Sequence, residues 1–325
     1  MDTVRWAILG AGKIAHKFAQ DIQQVPNARL VAVAARDKER ARVFASQYQA
    51  PIACTYQELY AHPEVDAVYI ATTHNFHLEQ SLACIEAGKA VLCEKPITIN
   101  HHQLGQLTAA ARQRGVLLME ALWTWLLPAM QQAKAWVKEG RIGAIQTIHA
   151  DFCYLMPYEP EGRLYNPQLA GGALLDLGIY PVAFTTYFMG GSPDTIRATA
   201  IMTDTGVDAS TSMIFQYGAV PAFLYCSLAG RSKVQAVIMG ENGHIVVPDF
   251  FKASKAFLYN AEGKETDRFD DGRSTLGYNY EIEEASRCFL EGRTESSQVP
   301  LDSSLAIQEI LTTVRTQIGL KYPFE

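Results

Sequence analysis

The sequence predicts an α/β protein in two parts. The first is a doubly wound parallel sheet, and the second an α/β domain built on an open, mostly antiparallel sheet. Three observations predict this. Over the first 120 residues short, continuously apolar runs alternate with amphipathic stretches. A glycine-rich turn stands at the first strand-to-helix junction. Beyond Ala121 the apolar runs become longer and alternate with polar residues. A parallel strand covered by helices on both faces has no solvated side and reads apolar throughout, whereas a strand with one wet face alternates.

The first strand is Val4–Leu9, and Gly10-Ala11-Gly12-Lys13-Ile14-Ala15 follows it. In this GxGxxA pattern Gly10 permits a tight turn and Gly12 lets a backbone approach a pyrophosphate. The small Ala15 lets helix and strand pack closely. The first-turn amides of Lys13, Ile14 and Ala15, with the positive end of the helix dipole, suit phosphate. The pattern alone also fits a glycine turn without a ligand.

The next strand, Leu30–Ala35, ends at Arg36-Asp37-Lys38-Glu39-Arg40. An acidic residue there holds the ribose hydroxyl of NAD, and an arginine accommodates the 2′-phosphate of NADP. Guanidinium groups bind phosphate through paired hydrogen bonds. Arg36 and Arg40 therefore favour NADP. Asp37 reads as the N-cap of the helix Glu39–Tyr48, yet it also suits a ribose contact, which leaves NAD open.

After the strand Ala67–Ala71 come Thr72, Thr73 and His74, at the carboxyl edge where such sheets bind ligands. His77 begins the helix His77–Ala87. Thr72, His74 and His77 are candidate cofactor contacts, with a structural hydrogen bond as the other reading of His77. Gly88 suits a helix C-cap. The strand Ala90–Cys93 leads into Glu94-Lys95-Pro96, where proline fixes the backbone on which Lys95 stands. An ordinary surface lysine is the other reading of Lys95. Val116–Glu120 is the last run of the first part, and the boundary falls within Leu118–Pro128. Domains of residues 1–122 and 123–325 are expected.

In the second part Ile145–Tyr154, Thr195–Thr203, Ala209–Tyr217 and Ala222–Leu228 read as strands. Ala173–Met189, Tyr280–Leu290 and Leu305–Ile318 read as helices. Gly171-Gly172-Ala173-Leu174-Leu175-Asp176-Leu177-Gly178-Ile179-Tyr180 opens the first of these. Asp176 and Tyr180, four apart, share a face of an α-helix. Carbonyl reduction needs a proton donor as well as a hydride. A tyrosine, with a pKa of about 10, serves better beside an ammonium group that favours its phenolate. Lys95 is a candidate for that ammonium. A packed helix with a buried tyrosine is the other reading, and spacing does not say whether positions 95 and 180 meet.

The net charge of −6 and the lack of a basic block argue against nucleic acid as a partner. No leader and no apolar stretch long enough to span a bilayer is expected, so no membrane partner either. The six cysteines are scattered, as in reduced cytoplasmic chains. No metal constellation is read. His101 and His102 are adjacent and point apart on a helix.

These segments together resemble the Gfo/Idh/MocA oxidoreductases. The residues that carry the likeness are the GxGxxA turn, Ala90–Pro96, Met119-Glu120-Ala121-Leu122-Trp123 and Gly171–Tyr180. Val31–Asp37 and Gly206-Val207-Asp208 resemble the branch that acts on dihydrodiols. The resemblance implies a Rossmann domain followed by an α/β domain whose sheet commonly joins subunits, here as a homodimer or homotetramer. It implies Lys95 near the nicotinamide, Tyr180 as proton donor or acceptor, and Asp176 beside them. It also implies Arg36 and Arg40 at a 2′-phosphate, with Glu94 in the same motif as Lys95. Related sugar reductases have histidine where this chain has Tyr180. Relatives often carry an arginine where this chain has Trp125, so Trp123 and Trp125 are expected to line the substrate site. Arg163, Tyr158 and Tyr165 are further candidates, or members of a surface loop.

The expected activity is NADP-dependent hydride transfer on a secondary alcohol, or its carbonyl, of a sugar or cyclic vicinal diol. Two rival expectations stand beside it: a sugar–sugar oxidoreductase that keeps its NADP, and a non-catalytic NADP-binding regulator.

Overall fold

The computed structural model describes residues 3–325. The chain forms two compact units. The first comprises the described residues up to Trp123 together with Arg273–Ser304, and the second comprises Thr124–Gly272 and Leu305–Glu325. The division expected at 122/123 is therefore corrected at its far end, because Arg273–Ser304 returns to the first unit.

In the first unit six strands are β1 (Val4–Leu9), β2 (Ala28–Ala34), β3 (Ile52–Cys54), β4 (Ala67–Ile70), β5 (Ala90–Glu94) and β6 (Leu118–Ala121). They pair in the order β3-β2-β1-β4-β5-β6, every pair parallel. The order reverses between β1 and β4, and a crevice at the carboxyl ends of such strands is where ligands bind. Every residue of β4, β5 and β6 is buried, as continuous apolar runs require. The three-residue edge strand β3 is too short to leave a periodic signal in the sequence.

The helices of this unit are α1 (Lys13–Asp21), α2 (Lys38–Gln47), α3 (Tyr56–Tyr60), α4 (His77–Glu86) and α5 (His101–Arg114). Asp37 caps α2 as expected, accepting from the Glu39 N–H at 2.9 Å. Gly88 follows α4 with φ +72°.

The returning segment is fastened by buried polar bonds. Trp6 of β1 donates its indole N–H to Ser286 Oγ at 2.9 Å. Asp21 accepts the N–H groups of Leu276 and Tyr278 at 3.1 and 2.8 Å.

The second unit carries α6 (Pro128–Lys138) and α7 (Ile179–Met189). Its eight strands are β7 (Ile145–Cys153), β8 (Thr195–Met202), β9 (Asp208–Tyr217), β10 (Val220–Ser227), β11 (Gln235–Gly240), β12 (Gly243–Pro248), β13 (Lys255–Asn260) and β14 (Glu265–Asp270). Their order is β14-β13-β12-β11-β7-β10-β9-β8. Only β7 and β10 pair in parallel, so the sheet is mostly antiparallel as expected.

One face of this sheet packs on helices. The other leaves Ile201, Ile214, Phe223, Tyr225 and Met239 exposed. Phe223 lies opposite Ile214 of β9 and His149 of β7, so these side chains form one continuous surface. The helices α8 (Asn279–Leu290) and α9 (Leu301–Ile318) close the chain.

The helical stretch Pro167–Met189 corrects one expectation. Its 23 residues are long and apolar enough to cross a membrane, yet 94% of its most apolar 18-residue window is buried inside the protein. Leu174, Leu175 and Ile179 are completely covered. Each such side chain contributes about 1.5–3 kcal/mol on burial, so the apolar composition is accounted for by core packing.

Candidate active site

The glycine turn of the first unit is built for a close-approaching ligand. Gly10 has φ +107°, and a Cβ there would lie 2.9 Å from Thr72 Cγ2 and 3.0 Å from the Ala71 carbonyl. Gly12 is the N-cap of α1 and leaves that end without a side-chain cap. The first-turn amides of Lys13, Ile14 and Ala15 are thus left for an anion. A side chain at Gly12 would meet only Ala71 O, at 3.8 Å, so the protein itself does not fill the space. These features fit a dinucleotide pyrophosphate.

At the end of β2, Arg36 and Arg40 are both exposed. Arg40 donates to Ala11 O at 3.3 Å, which brings α2 to the glycine turn. Lys38 is engaged by Glu58 at 2.7 Å and Arg42 by Glu39 at 3.1 Å. Among the described residues no carboxylate pairs with Arg36 or Arg40. Tyr56 adjoins both; burial raises its pKa, and the two guanidinium charges oppose that rise. Sequence reading missed Tyr56, because nothing in its spacing ties it to β2.

At the carboxyl edge of β4, Thr72 donates to Gln80 Oε1 at 2.6 Å. His74 lies edge-on to His77, with ring centroids 5.7 Å apart. His77 is completely buried. Its Nδ1 lies 2.9 Å from Pro96 O and its Nε2 lies 3.3 Å from Thr72 O. Burial lowers its pKa to about 4, so the ring is neutral at pH 7 and has one N–H. We assign that proton to Nδ1, which makes the shorter contact. The cofactor contact expected of His77 is corrected, since both nitrogens face the chain's own carbonyls. It ties the start of α4 to the Lys95–Pro96 turn.

Lys95 stands half-buried on that turn, just past β5. Glu94 is buried and accepts from the Tyr69 hydroxyl and, at 3.2 Å, from the Lys95 N–H. Glu120 of β6 accepts the Ile97 N–H at 3.0 Å, holding the far side of the same turn. Burial raises the pKa of Glu120, while hydrogen bonds and the charge of Lys95 oppose that rise.

Glu281 of α8 is also completely buried, and neither carboxyl oxygen has a hydrogen-bond partner. Burial, with the charges of Glu94 and Asp21, holds its pKa well above the usual 4.5. A proton is then retained in the folded state and lost in the unfolded state as pH rises past that value. Stability from this group is full at low pH and falls as pH increases. Glu281→Gln should match the parent near pH 4 and exceed it at pH 8, by about 1.4 kcal/mol for every pH unit over which the folded state alone keeps the proton. Urea unfolding at the two pH values measures this; an equal difference at both would refute it.

Trp123 is buried against Tyr278, the rings stacked 4.6 Å apart.

In the second unit a π-helical turn, Leu174–Gly178, leads directly into α7. Such wide turns concentrate at functional sites. Asp176 lies in the wide turn and Tyr180 in the α-helix, so the simple four-residue face argument does not describe their relation. Asp176 instead meets Arg163, with Nη1–Oδ1 3.0 Å and Nη2–Oδ2 3.5 Å.

Tyr180 is 7% exposed. Its ring lies 5.3 Å from Phe152 and 5.6 Å from Phe251, centroid to centroid. The alternation of β7 points Phe152 inward and was readable; Phe251, on a short turn after β12, was not.

Trp125 is buried and donates its indole N–H to Ala183 O at 3.1 Å. Its ring lies 5.0 Å from that of Tyr187. The substrate wall expected of it is corrected to a packing role against α7. Tyr165 donates to Met156 O at 3.2 Å within the loop, while Tyr158 is exposed.

Two family models match the chain. Residues 4–122 match the model of an oxidoreductase family with an NAD-binding Rossmann fold. Residues 130–246 match the Gfo/Idh/MocA C-terminal domain. The chain belongs to the Gfo/Idh/MocA oxidoreductase family.

Among Gfo/Idh/MocA relatives, trans-1,2-dihydrobenzene-1,2-diol dehydrogenase of Mus musculus is 36% identical, covering 98% of both chains. Its counterpart in Homo sapiens is 34% identical with the same coverage. A 3-ketoreductase from Actinomadura kijaniata, solved with NADP and TDP-benzene, superposes with a TM-score of 0.87 at 25% identity, covering 98% of each chain. An aldose–aldose oxidoreductase from Caulobacter crescentus shares the fold, with a TM-score of 0.89 at 21% identity and 98% coverage of each chain. Membership in the Gfo/Idh/MocA family makes this chain a nicotinamide-dependent oxidoreductase.

Proposed function

We propose that this protein is an NADP-dependent dehydrogenase acting on a secondary alcohol, or its carbonyl, in a sugar or cyclic vicinal diol. The observation that carries this reading is the conjunction of two residue sets. One is the uncapped glycine turn with Arg36, Arg40 and Tyr56. The other is Tyr180 beside the Arg163–Asp176 pair at the π-helical turn. The 36% identity to a dihydrodiol dehydrogenase over 98% of both chains supports the diol.

Oxidation of a CH–OH carbon removes a hydride and a proton, and reduction returns both. A bound nicotinamide dinucleotide takes or supplies the hydride. The proton belongs to the chain. The Tyr180 phenolate accepts it from the hydroxyl during oxidation, and the phenol donates it during reduction. Lys95 favours the anionic state of the reacting oxygen. Asp176, held by Arg163, orients a substrate hydroxyl. Phe152 and Phe251 exclude water around the Tyr180 ring.

The test is reduced-nicotinamide absorbance with NADP or NAD and a panel of aldoses, polyols and trans-1,2-dihydrobenzene-1,2-diol. Turnover on a sugar or cyclic diol with NADP supports the reading. Cofactor binding with no turnover across the panel overturns it in favour of a regulatory role, and NADP retained through dialysis favours sugar–sugar exchange.

The exposed face of the second unit's sheet supports self-association through that sheet, as a homodimer or homotetramer. Its apolar side chains form one continuous patch of the kind that marks an interface. Sedimentation velocity should show a species larger than one chain; a fully active monomer at micromolar concentration would sink this part.

A further inference from the structure

The turn ahead of Tyr180 is held from two sides by residues far away in the sequence. Gly172 has φ +117°, and a Cβ there would lie 2.2 Å from Asp208 Oδ1. No other residue type fits that space without displacing Asp208. Asp208 is completely buried, and its Oδ2 accepts the Leu174 N–H at 2.8 Å and the Thr211 hydroxyl at 2.7 Å. The Leu174 N–H belongs to the first residue of the π-helical turn.

From the other side, the Tyr322 hydroxyl donates to Gly171 O at 2.6 Å. Tyr322 is itself 1% exposed. The Arg315 guanidinium lies 4.4 Å over its ring and pairs with Glu325, which accepts the Tyr322 N–H at 3.1 Å. A buried carboxylate and a buried phenol thus hold two peptide groups, 171–172 and 173–174, at the entry to the wide turn. Both hydrogen bonds end on main-chain groups ahead of Asp176 and Tyr180, so their effect on chemistry passes through the backbone.

We propose that Asp208 and Tyr322 form a brace that positions the Tyr180 hydroxyl by fixing Gly171 and Leu174. The proposal rests on the reading of Tyr180 as the proton-transfer group. A π-helical turn has less regular hydrogen bonding than an α-helix. Without outside restraint it can relax to an α-helical winding, which rotates every side chain beyond it. The brace supplies that restraint, using hydrogen bonds that are strong because they are buried.

The test is a double-mutant cycle, with Tyr322→Phe and Asp208→Asn each made alone and combined with Tyr180→Phe. kcat is measured with NADP and trans-1,2-dihydrobenzene-1,2-diol or the most active sugar. Circular dichroism and thermal melting confirm that each variant is folded at the assay temperature. Tyr322→Phe should lower kcat about 3- to 10-fold, the loss expected for one buried hydrogen bond, and leave the Kd of NADP unchanged. In the Tyr180→Phe background the same substitution should cost less than about twofold, because a positioning residue has nothing left to position. Asp208→Asn should show the same pattern.

Parental kcat in both Tyr322→Phe and Asp208→Asn overturns the brace while leaving Tyr180 in its role. Equal losses in both backgrounds also overturn it, since they reveal a general structural effect. Parental kcat in Tyr180→Phe alone overturns the proton-transfer reading, and the brace falls with it.

Discussion

Tyr180→Phe should lower kcat by about 10²- to 10⁴-fold, the range for loss of a positioned acid–base group. The Kd of NADP should stay within about twofold, because the substitution removes only the group that moves the proton. The substitution removes one oxygen and keeps the ring. The contacts with Phe152 and Phe251 are therefore retained, and packing loss does not confuse the result. A variant with normal kcat would refute the assignment, whereas a kcat loss matched by equally weakened NADP binding would point to misfolding.

Arg36→Ala should weaken NADP about 10- to 150-fold, the value of one charged hydrogen-bonded pair, and leave NAD within about twofold. Arg36 is the first residue past the buried part of β2 and stands exposed beside Tyr56. Lys38 and Arg42, two further basic groups of that helix start, are engaged by Glu58 and Glu39 and compensate poorly. The measurement is fluorescence titration with each cofactor. Equal weakening of both would show that Arg36 does not read a 2′-phosphate; no weakening of either would move the role to Arg40.

The parts of the molecule legible in the sequence were those with local causes. The apolar runs of β1, β4 and β5 announce a sheet covered on both faces, and Asp37 announces the start of α2. The glycine turn is legible from its own pattern, although the crowding that demands Gly10 comes from Ala71 and Thr72, far along the sequence. What escaped was non-local. The return of α8 to β1 and β2 is specified by Trp6 and Ser286, 280 residues apart. The partnership of Arg163 with Asp176 depends on how a loop folds back. The double carbonyl contact of His77 depends on where Pro96 lies in space. The π-helical turn was invisible because its cause is external: Asp208 and Tyr322 act on its first peptides from 34 and 151 residues away.

The return of Arg273–Ser304 to the first unit has a consequence for synthesis. A ribosome releases the six parallel strands early, after little more than a third of the chain. The cover for β1 and β2 emerges only when about nine-tenths has been made. Until then the apolar flank that α8 protects is open to water and to other nascent chains. Contacts so distant close slowly, because a long loop must be ordered before they form. The first unit therefore begins translation first and is completed last, and a fragment ending near Trp123 lacks a wall rather than a tail.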